Sequence, residues 1–383
     1  MKGLKFLSLI IAVFMLFTLT GSAFALEIKN TNMSFDVKSA VLIDANTGTL
    51  LYSHNKDEAL PPASVTKIMT LLLVFEALES GTLKYDEMLT VSENAASMGG
   101  SQVFLEPGEQ MSVHELLKCV IVSSANDAAL TLAERVGGNE EAFVEQMNKR
   151  AHELGMKNTY FENVTGLDDN VERHLTSAYD IALMSKELLK HEKVTEYTTI
   201  WMDTIRNGEF GLSNTNRLVK YYKGITGLKT GYTSGAGYCI SASAKRENLQ
   251  LIAVVMGAKT STERNAVVAK LLDFGFANYF SFTDSKSECG SVKVLHGNVN
   301  EIKVGYEDHS MLENIGNKDK IEKEIVILDS VNAPIKVGDE MGKVTYKING
   351  KIIGENKIVA LESANKLTYW NYFVKVFENF VLN

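Results

Sequence analysis

Ser64 and Lys67 form a pair whose types and spacing suit nucleophilic catalysis. They stand in Pro62-Ala-Ser-Val-Thr-Lys67, at the start of an apolar stretch that predicts a buried helix. Residues three apart lie on one face of a helix, one turn from each other. A serine hydroxyl is a weak nucleophile until a base removes its proton, and a lysine held neutral by burial or by a neighbouring cation can be that base. The backbone N–H of a serine at a helix N-terminus can also stabilise an oxyanion.

This pattern is weak evidence on its own, because Ser53-His-Asn-Lys56 and Ser363-Ala-Asn-Lys366 match it as well. Ser64 differs from these two serines in one respect. It alone begins a stretch that predicts a buried helix.

A second pattern, Ser124-Ala-Asn126, lies between two predicted helices. Three other segments have the same form, beginning at Ser92, Ser330 and Ser363. By itself it is equally well explained as ordinary helix capping by serine and asparagine.

A third pattern, Lys229-Thr-Gly231, occurs once and leads through Tyr232 towards a predicted hairpin. Standing alone, it would be interpreted as an exposed turn before a strand. It becomes informative in combination with the other two patterns, because we place all three at the boundary of an element.

Together and in this order, the three motifs resemble the active site of the penicillin-recognising serine enzymes. They are most similar to the low-molecular-mass penicillin-binding proteins that act as D-alanyl-D-alanine carboxypeptidases. The similarity extends over nearly the whole chain after the leader. The segments that carry it are Pro61–Thr70, Ser123–Asp127, Met147-Asn148, Leu154–Met156, Gly166–Asp168 and Gly227–Thr233.

The resemblance implies a mechanism with named roles. Ser64 attacks the peptide carbonyl between two terminal D-alanines, Lys67 takes its proton, and Ser124 relays a proton to the leaving amine. The residues implied in substrate binding are Asn126, Lys229, Thr230, Gly231 and Tyr232. The implied substrate is the peptidoglycan stem peptide, and β-lactam antibiotics would acylate Ser64 because they imitate D-alanyl-D-alanine.

The implied oxyanion hole consists of the N–H groups of Ser64 and Tyr232, while Lys229 and Thr230 meet the terminal carboxylate. One departure from the family concerns the arginine that some relatives place near that carboxylate. Arg217 is the candidate, but its position in the sequence does not decide the matter.

Two other functions stay open at this stage. One is a β-lactamase or esterase that uses the same serine and lysine, although no additional glutamate motif for activating water is evident. The other is a non-catalytic wall-binding or scaffolding protein, against which the three intact motifs argue.

The predicted helices and strands that would position these motifs indicate an α+β fold. Two hairpins are predicted, at 40–52 and 238–256, with a run of helices between them and one helix after them. The predicted helices span 68–78, 113–122, 128–136, 141–154, 177–189 and 263–279. We therefore expect a β-lactamase/transpeptidase-like catalytic domain with a helical cluster packed on an antiparallel sheet.

Short β-type runs follow and predict a small all-β domain, after which an amphipathic pattern predicts a terminal helix. That helix carries aromatic residues such as Trp370 and Phe373, which favour a membrane surface, although docking onto a domain is an alternative. The predicted organisation is 1–25 signal peptide, 26–285 catalytic domain, 286–361 β-domain and 362–383 membrane-associating helix.

The first 25 residues have the pattern of a secretory signal peptide. Lys2 and Lys5 precede an uncharged run over 6–19, and Ala23-Phe-Ala25 resembles a cleavage site. A membrane anchor is the alternative, but the run is shorter than the roughly 18 residues that a span requires. We expect an exported protein, located at the outer face of the cell membrane or in the cell wall.

The composition and net charge exclude several classes of protein. The 383 residues are 45% hydrophobic and 22% charged, which is typical of a folded globular protein. A net charge of −8 argues against a nucleic-acid partner, since such proteins need a basic surface.

The histidines are too widely spaced for a helical metal-binding pair, so we expect neither a metal nor a cofactor. The cysteines, Cys119, Cys239 and Cys289, show no disulfide framework and are expected as buried free thiols, with a Cys119–Cys239 bridge left open.

Overall fold

The computed structural model describes Ile28, residues 32–167 and 172–367, and Phe373. The predicted signal peptide, Asp168 and most of the predicted terminal helix lie outside these residues. The chain divides into two compact units, with the boundary between Phe282 and Thr283. None of the helices in the described ranges has the length and apolar character that crossing a membrane would require.

The first unit contains the elements that position the three motifs. In chain order they are β1 (Ser39–Asp44), β2 (Leu50–His54), a 3-10 turn (Ala63–Thr66), α1 (Lys67–Glu79), β3 (Met88–Thr90), α2 (Glu93–Ala96), β4 (Gln110–Ser112), α3 (Val113–Val122), α4 (Asn126–Gly137), α5 (Glu140–Glu153), α6 (Ala178–Leu188), α7 (Val194–Thr198), β5 (Met202–Ile205), β6 (Phe210–Ser213), α8 (Leu218–Tyr221), β7 (Ile225–Thr233), β8 (Gly237–Arg246), β9 (Leu249–Ala258) and α9 (Ser261–Asn278). The next strand, β10 (Tyr279–Asp284), begins in the first unit and ends past the boundary.

Its centre is a five-stranded antiparallel sheet with the strand order β2-β1-β9-β8-β7. Val41 is opposite Val254 in the register, so both side chains lie on one face of the sheet. Helix α6 packs on this face, where the Ser185 and Ser241 hydroxyl groups are hydrogen-bonded at 2.8 Å. Leu251 points to the opposite face because side chains alternate along a strand, and α9 packs there. Helices on an antiparallel sheet are the α+β arrangement predicted above.

Helix α1 lies at the core of the helical cluster. Every residue from Lys67 to Phe75 is buried, as expected for a helix that is apolar on all sides. The helix contacts α4, α5 and α6, so the chain carries a lysine directly into the interior. The predicted helix at 113–122 has the observed bounds, and the other predicted helices differ from the observed ones by one or two residues at each end.

Two motif positions differ from their predictions. Ser64 lies in a 3-10 turn that precedes α1, because Ala63 has a positive φ of 50° and the Val65 N–H bonds to the Pro62 carbonyl at 3.3 Å. The third motif, Lys229-Thr-Gly231, lies inside strand β7 and not at an element boundary. The strand was not predicted, because strands were predicted from apolar runs and polar residues interrupt this one.

The second unit is an all-β domain, as predicted. Its elements are β11 (Ser287–Leu295), β12 (Glu301–Tyr306), β13 (His309–Asn314), a 3-10 turn (Ile315–Lys320), β14 (Ile321–Ile327), β15 (Ser330–Asn332), β16 (Glu340–Ile348) and β17 (Lys351–Ala360). Six strands form one sheet in the order β14-β16-β17-β12-β11-β15, in which only the β11–β15 pair is parallel. Within residues 362–367, isolated bridges join Ala364 to Ile335 and Lys366 to Gly297.

The cysteines are all free thiols. Cys119 and Cys239 are buried, as predicted, and Cys289 is half-buried. Burial raises the pKa of the Cys119 and Cys239 thiols, which keeps them protonated and unreactive.

Candidate active site

The first two predicted residues meet as expected. The Lys67 ammonium nitrogen lies 3.0 Å from the Ser64 hydroxyl oxygen and 2.9 Å from the Thr165 carbonyl oxygen. In a 3-10 turn the residues i and i+3 stack directly above each other, so the turn keeps the alignment that a helix was predicted to give. Lys67 is completely buried, whereas Ser64 faces a cleft.

Burial changes the chemistry of Lys67. The loss of water is the largest cause that lowers its pKa well below the usual value, and the cation of Lys229 lowers it further, while Asp127 acts in the opposite direction. The pKa of Lys229 is itself lowered to about 7, first by burial and then by the nearby Arg264. A lysine that gives up its proton easily beside a serine hydroxyl is a general base in position.

Ser124 lies in the turn between α3 and α4, and Asn126 is the first residue of α4. Ser124 has a positive φ of 62° and its buried hydroxyl has no hydrogen-bond partner among the described residues. The Asn126 side-chain nitrogen donates to the Gly99 carbonyl at 2.7 Å, and its buried side-chain oxygen has no partner in the described ranges. Buried polar atoms without partners are costly in a fold, so both groups point to a ligand or to catalysis.

Strand β7 brings the third motif against the 3-10 turn. A Cβ atom at Gly231 would lie 2.8 Å from the Pro62 carbonyl oxygen and 2.9 Å from the Ser64 nitrogen. Only glycine allows the edge strand to approach the nucleophile this closely. The Thr230 hydroxyl donates to the Thr215 hydroxyl at 2.7 Å, and the half-exposed ring of Tyr232 lies 4.4 Å from that of Tyr238.

These residues surround an open cleft of about 830 Å³. Its lining consists of Ser64, Ser101, Ser124, Trp201, Ser213, Asn214, Thr215, Arg217, Tyr221, Thr230, Gly231, Tyr232, Tyr238, Ser261 and Arg264. Five predicted site residues are therefore in the cleft wall. The other three, Lys67, Asn126 and Lys229, are buried behind it.

Two arginines line the cleft, whereas no aspartate or glutamate is among its described lining residues. Arg217, which the sequence left undecided, is exposed there. Arg264 was not predicted at all. It is 5% exposed, and burial lowers its pKa to about 10. An anionic group is the ligand that such a lining favours.

A signal for Arg264 was present in the sequence. It takes a place on the buried face of α9 together with Val267, Val268 and Leu271, which follow at spacings of three, four and seven residues. A cation at an apolar position of a helix needs a partner or a ligand. The described part of the chain holds no cluster of three or more potential metal-ligating side chains.

Comparison with known proteins places this geometry in context. Residues 27–260 match the family described as D-alanyl-D-alanine carboxypeptidase, and residues 278–366 match the family described as penicillin-binding protein 5, C-terminal domain. The chain is 46% identical to "D-alanyl-D-alanine carboxypeptidase DacF" of Bacillus subtilis over 94% of its own length and 95% of the relative's. It is 35% identical to "D-alanyl-D-alanine carboxypeptidase DacC" of Escherichia coli, over 92% and 90% of the two chains.

Solved structures agree with these matches. Penicillin-binding protein 5 from Haemophilus influenzae superposes with a TM-score of 0.75 at 33% identity, covering 88% of this chain and all of the other. Penicillin-binding protein D2 from Listeria monocytogenes, solved in an ampicillin-bound form, gives a TM-score of 0.59 at 33% identity over 64% of this chain and all of its own.

Proposed function

The chain belongs to the D-alanyl-D-alanine carboxypeptidase family, and we propose that it removes the terminal D-alanine from peptidoglycan stem peptides through an ester on Ser64. The observation that carries this proposal is the buried Lys67, whose nitrogen lies 3.0 Å from the Ser64 hydroxyl oxygen. Its lowered pKa favours the neutral amine, which can accept a proton, whereas an ordinary lysine is charged.

Acylation begins when the Ser64 oxygen attacks the carbonyl carbon between the two D-alanines and Lys67 accepts the hydroxyl proton. The carbonyl oxygen becomes an oxyanion, for which the N–H groups of Ser64 and Tyr232 are the donors. The C–N bond then breaks, and the leaving amine receives a proton through Ser124. The unpartnered hydroxyl of Ser124 supports this relay, since it is buried and faces the cleft.

Deacylation reverses these steps with water as the nucleophile. Water attacks the ester carbon, Lys67 and Ser124 move its proton, and the Ser64 oxygen leaves with a proton to regenerate the free serine. The two products are D-alanine and a peptide that is shorter by one residue.

The terminal carboxylate of the substrate is held by a hydroxyl group and by cationic side chains. Thr230 and Lys229 of β7 are its predicted partners, and the arginines Arg217 and Arg264 add positive charge to the same cleft. The unpartnered side-chain oxygen of Asn126 is an acceptor for a substrate amide. These contacts also suit a β-lactam, which presents a carboxylate beside a strained amide and would acylate Ser64.

The test of this function measures D-alanine release from a pentapeptide ending in D-alanyl-D-alanine, together with turnover of a penicillin. A carboxypeptidase releases D-alanine and keeps the penicillin as a slowly hydrolysed ester. Rapid hydrolysis of the penicillin without D-alanine release would identify a β-lactamase instead, and no reaction with either compound would indicate a non-catalytic protein.

We also propose export, with attachment to the outer face of the membrane by the terminal segment. The support is in the sequence: Lys2 and Lys5 before the apolar run over 6–19, and the amphipathic pattern within 362–383. Deletion after Leu361 should move the protein from the membrane fraction to the soluble fraction without changing D-alanine release. A truncated protein that stays with the membrane would contradict this role of the tail.

A further inference from the structure

A hydrogen-bonded chain lies behind the nucleophile, on the carbonyl side of the peptide bond between Ala63 and Ser64. The Thr66 hydroxyl donates to the Ala63 carbonyl oxygen at 2.9 Å. The same hydroxyl oxygen lies 2.8 Å from the His174 Nε2 atom. Thr66 and His174 are both buried and neither lines the cleft, so neither is placed to touch a substrate there.

The direction of these bonds follows from their ends. The backbone N–H of Glu162 can only donate, and it meets the His174 Nδ1 atom at 3.0 Å. Nδ1 is therefore the acceptor, so the proton of the neutral ring is on Nε2 and is donated to the Thr66 oxygen. Burial favours this neutral form, because it lowers the pKa of His174 to about 4, while the Glu162 carboxylate opposes the shift.

His174 is held rigidly by its surroundings. The next residue, Leu175, exchanges backbone hydrogen bonds of 2.9 and 3.1 Å with Tyr160. Thr176 exchanges bonds of 2.8 and 3.0 Å with Leu60, just before the 3-10 turn. The ring also packs edge-on against Phe161, with the centroids 5.7 Å apart. The imidazole is thus a fixed point to which the turn is tied.

The other end of the chain reaches the predicted oxyanion hole. The carbonyl of Ala63 and the N–H of Ser64 belong to one planar peptide unit, in which they point in opposite directions. Fixing the Ala63 oxygen towards Thr66 therefore aims the Ser64 N–H away from it. Gly166 confines the carbonyl, since a Cβ there would lie 1.8 Å from the Ala63 oxygen, and Gly231 lies on the side of the Ser64 nitrogen.

The backbone needs such support. Ala63 has a φ of 50°, a strained conformation that non-glycine residues rarely adopt. A residue held there without other contacts would relax and rotate the following peptide. The bond from Thr66 opposes that rotation.

From this geometry we infer that His174 and Thr66 are positioning residues for catalysis, which orient the Ser64 N–H towards the oxyanion. The inference rests on the proposed function, because it presumes an acyl transfer at Ser64. It adds to that function two residues that do not touch the substrate but determine the direction of an oxyanion donor.

The test uses two matched pairs in the full chain, with acylation by a fluorescent penicillin as the readout. Thr66→Ser keeps the hydroxyl, whereas Thr66→Val keeps the shape without it. His174→Gln places an amide nitrogen near the Nε2 position, whereas His174→Asn loses the reach to Thr66. We expect Thr66→Val and His174→Asn to be acylated roughly tenfold to a hundredfold more slowly, somewhat less than the loss that follows deletion of an oxyanion donor.

A positioning role also predicts which constants change. The value of kcat for the pentapeptide should fall with KM nearly unchanged, because the carboxylate and amide contacts are untouched, and Thr66→Ser and His174→Gln should stay near the wild type. Thermal unfolding shows whether each variant is folded. If Thr66→Val does not fold, the His174 pair decides.

Equal acylation rates for the two members of a folded pair would overturn the inference, as would a loss confined to KM. A wild-type protein that penicillin does not acylate would instead overturn the proposed function. The two failures are therefore distinguishable.

Discussion

The contact between strand β7 and the nucleophile makes Gly231→Ala an informative substitution. The added Cβ would lie 2.8 Å from the Pro62 oxygen, 2.9 Å from the Ser64 nitrogen and 3.0 Å from the Ala63 Cβ atom. Ordinary van der Waals contact begins near 3.4 Å, so the strand and the turn must separate by about 0.5 Å. Overpacking of this kind costs about 1–3 kcal/mol of stability.

The expected effect on catalysis is larger than the effect on stability. Catalytic groups must be held within about 0.5 Å of their working positions. Loss of one oxyanion donor lowers kcat by about 10² to 10³. We therefore expect penicillin to acylate Gly231→Ala at least roughly tenfold more slowly, on a protein whose melting temperature falls by only a few degrees.

Gly211→Ala is the matched control for this experiment. Gly211 also lies in a strand, β6, but a Cβ there would have no atom within 4 Å. Its acylation rate and melting temperature should match those of the wild type. The reasoning is refuted if Gly231→Ala is acylated as fast as Gly211→Ala, or if its loss of rate is fully explained by an unfolded fraction at the assay temperature.

Two further predictions concern charge. Lys229→Met removes a cation that lowers the pKa of Lys67, so the pKa of Lys67 should rise. The acidic limb of the pH profile for acylation should therefore move to higher pH. An unchanged limb would contradict this. Asp127→Asn replaces a buried carboxylate with a neutral amide. The carboxylate accepts hydrogen bonds from two backbone N–H groups of the loop containing Ser101, each at 3.1 Å, and these bonds should become weaker. The substitution should destabilise the fold by about 1–3 kcal/mol, measured by thermal unfolding. The exposed Asp86→Asn is its control, and equal melting of the two variants would contradict the prediction.

The sequence predicted which residues lie together better than it predicted the backbone around them. The pairing of Ser64 with Lys67 was predicted because a spacing of three aligns side chains in any tight helix. The depth of Lys67 followed from the apolar stretch after it, since a helix without a polar face must be buried. Strand β7 was not recognised, because its polar residues break the apolar pattern by which strands are found.

Other features depend on contacts between distant segments, and no local signal shows where they lie in the folded site. The bond of His174 to Thr66 joins residues 108 positions apart, and the positive φ of Ala63 falls at a residue type that gives no warning of it. Arg264 reaches the cleft only because α9 packs against the sheet beside β8. Such features follow from tertiary packing, which a motif does not encode.

The central claim is that Ser64 carries the acyl group. The most direct measurement digests the protein after reaction with a penicillin and locates the added mass by peptide mass spectrometry. The account predicts one adduct, on the peptide containing Ser64, and none in Ser64→Ala. An adduct at Ser124 or another residue, or an adduct that persists in Ser64→Ala, would contradict it.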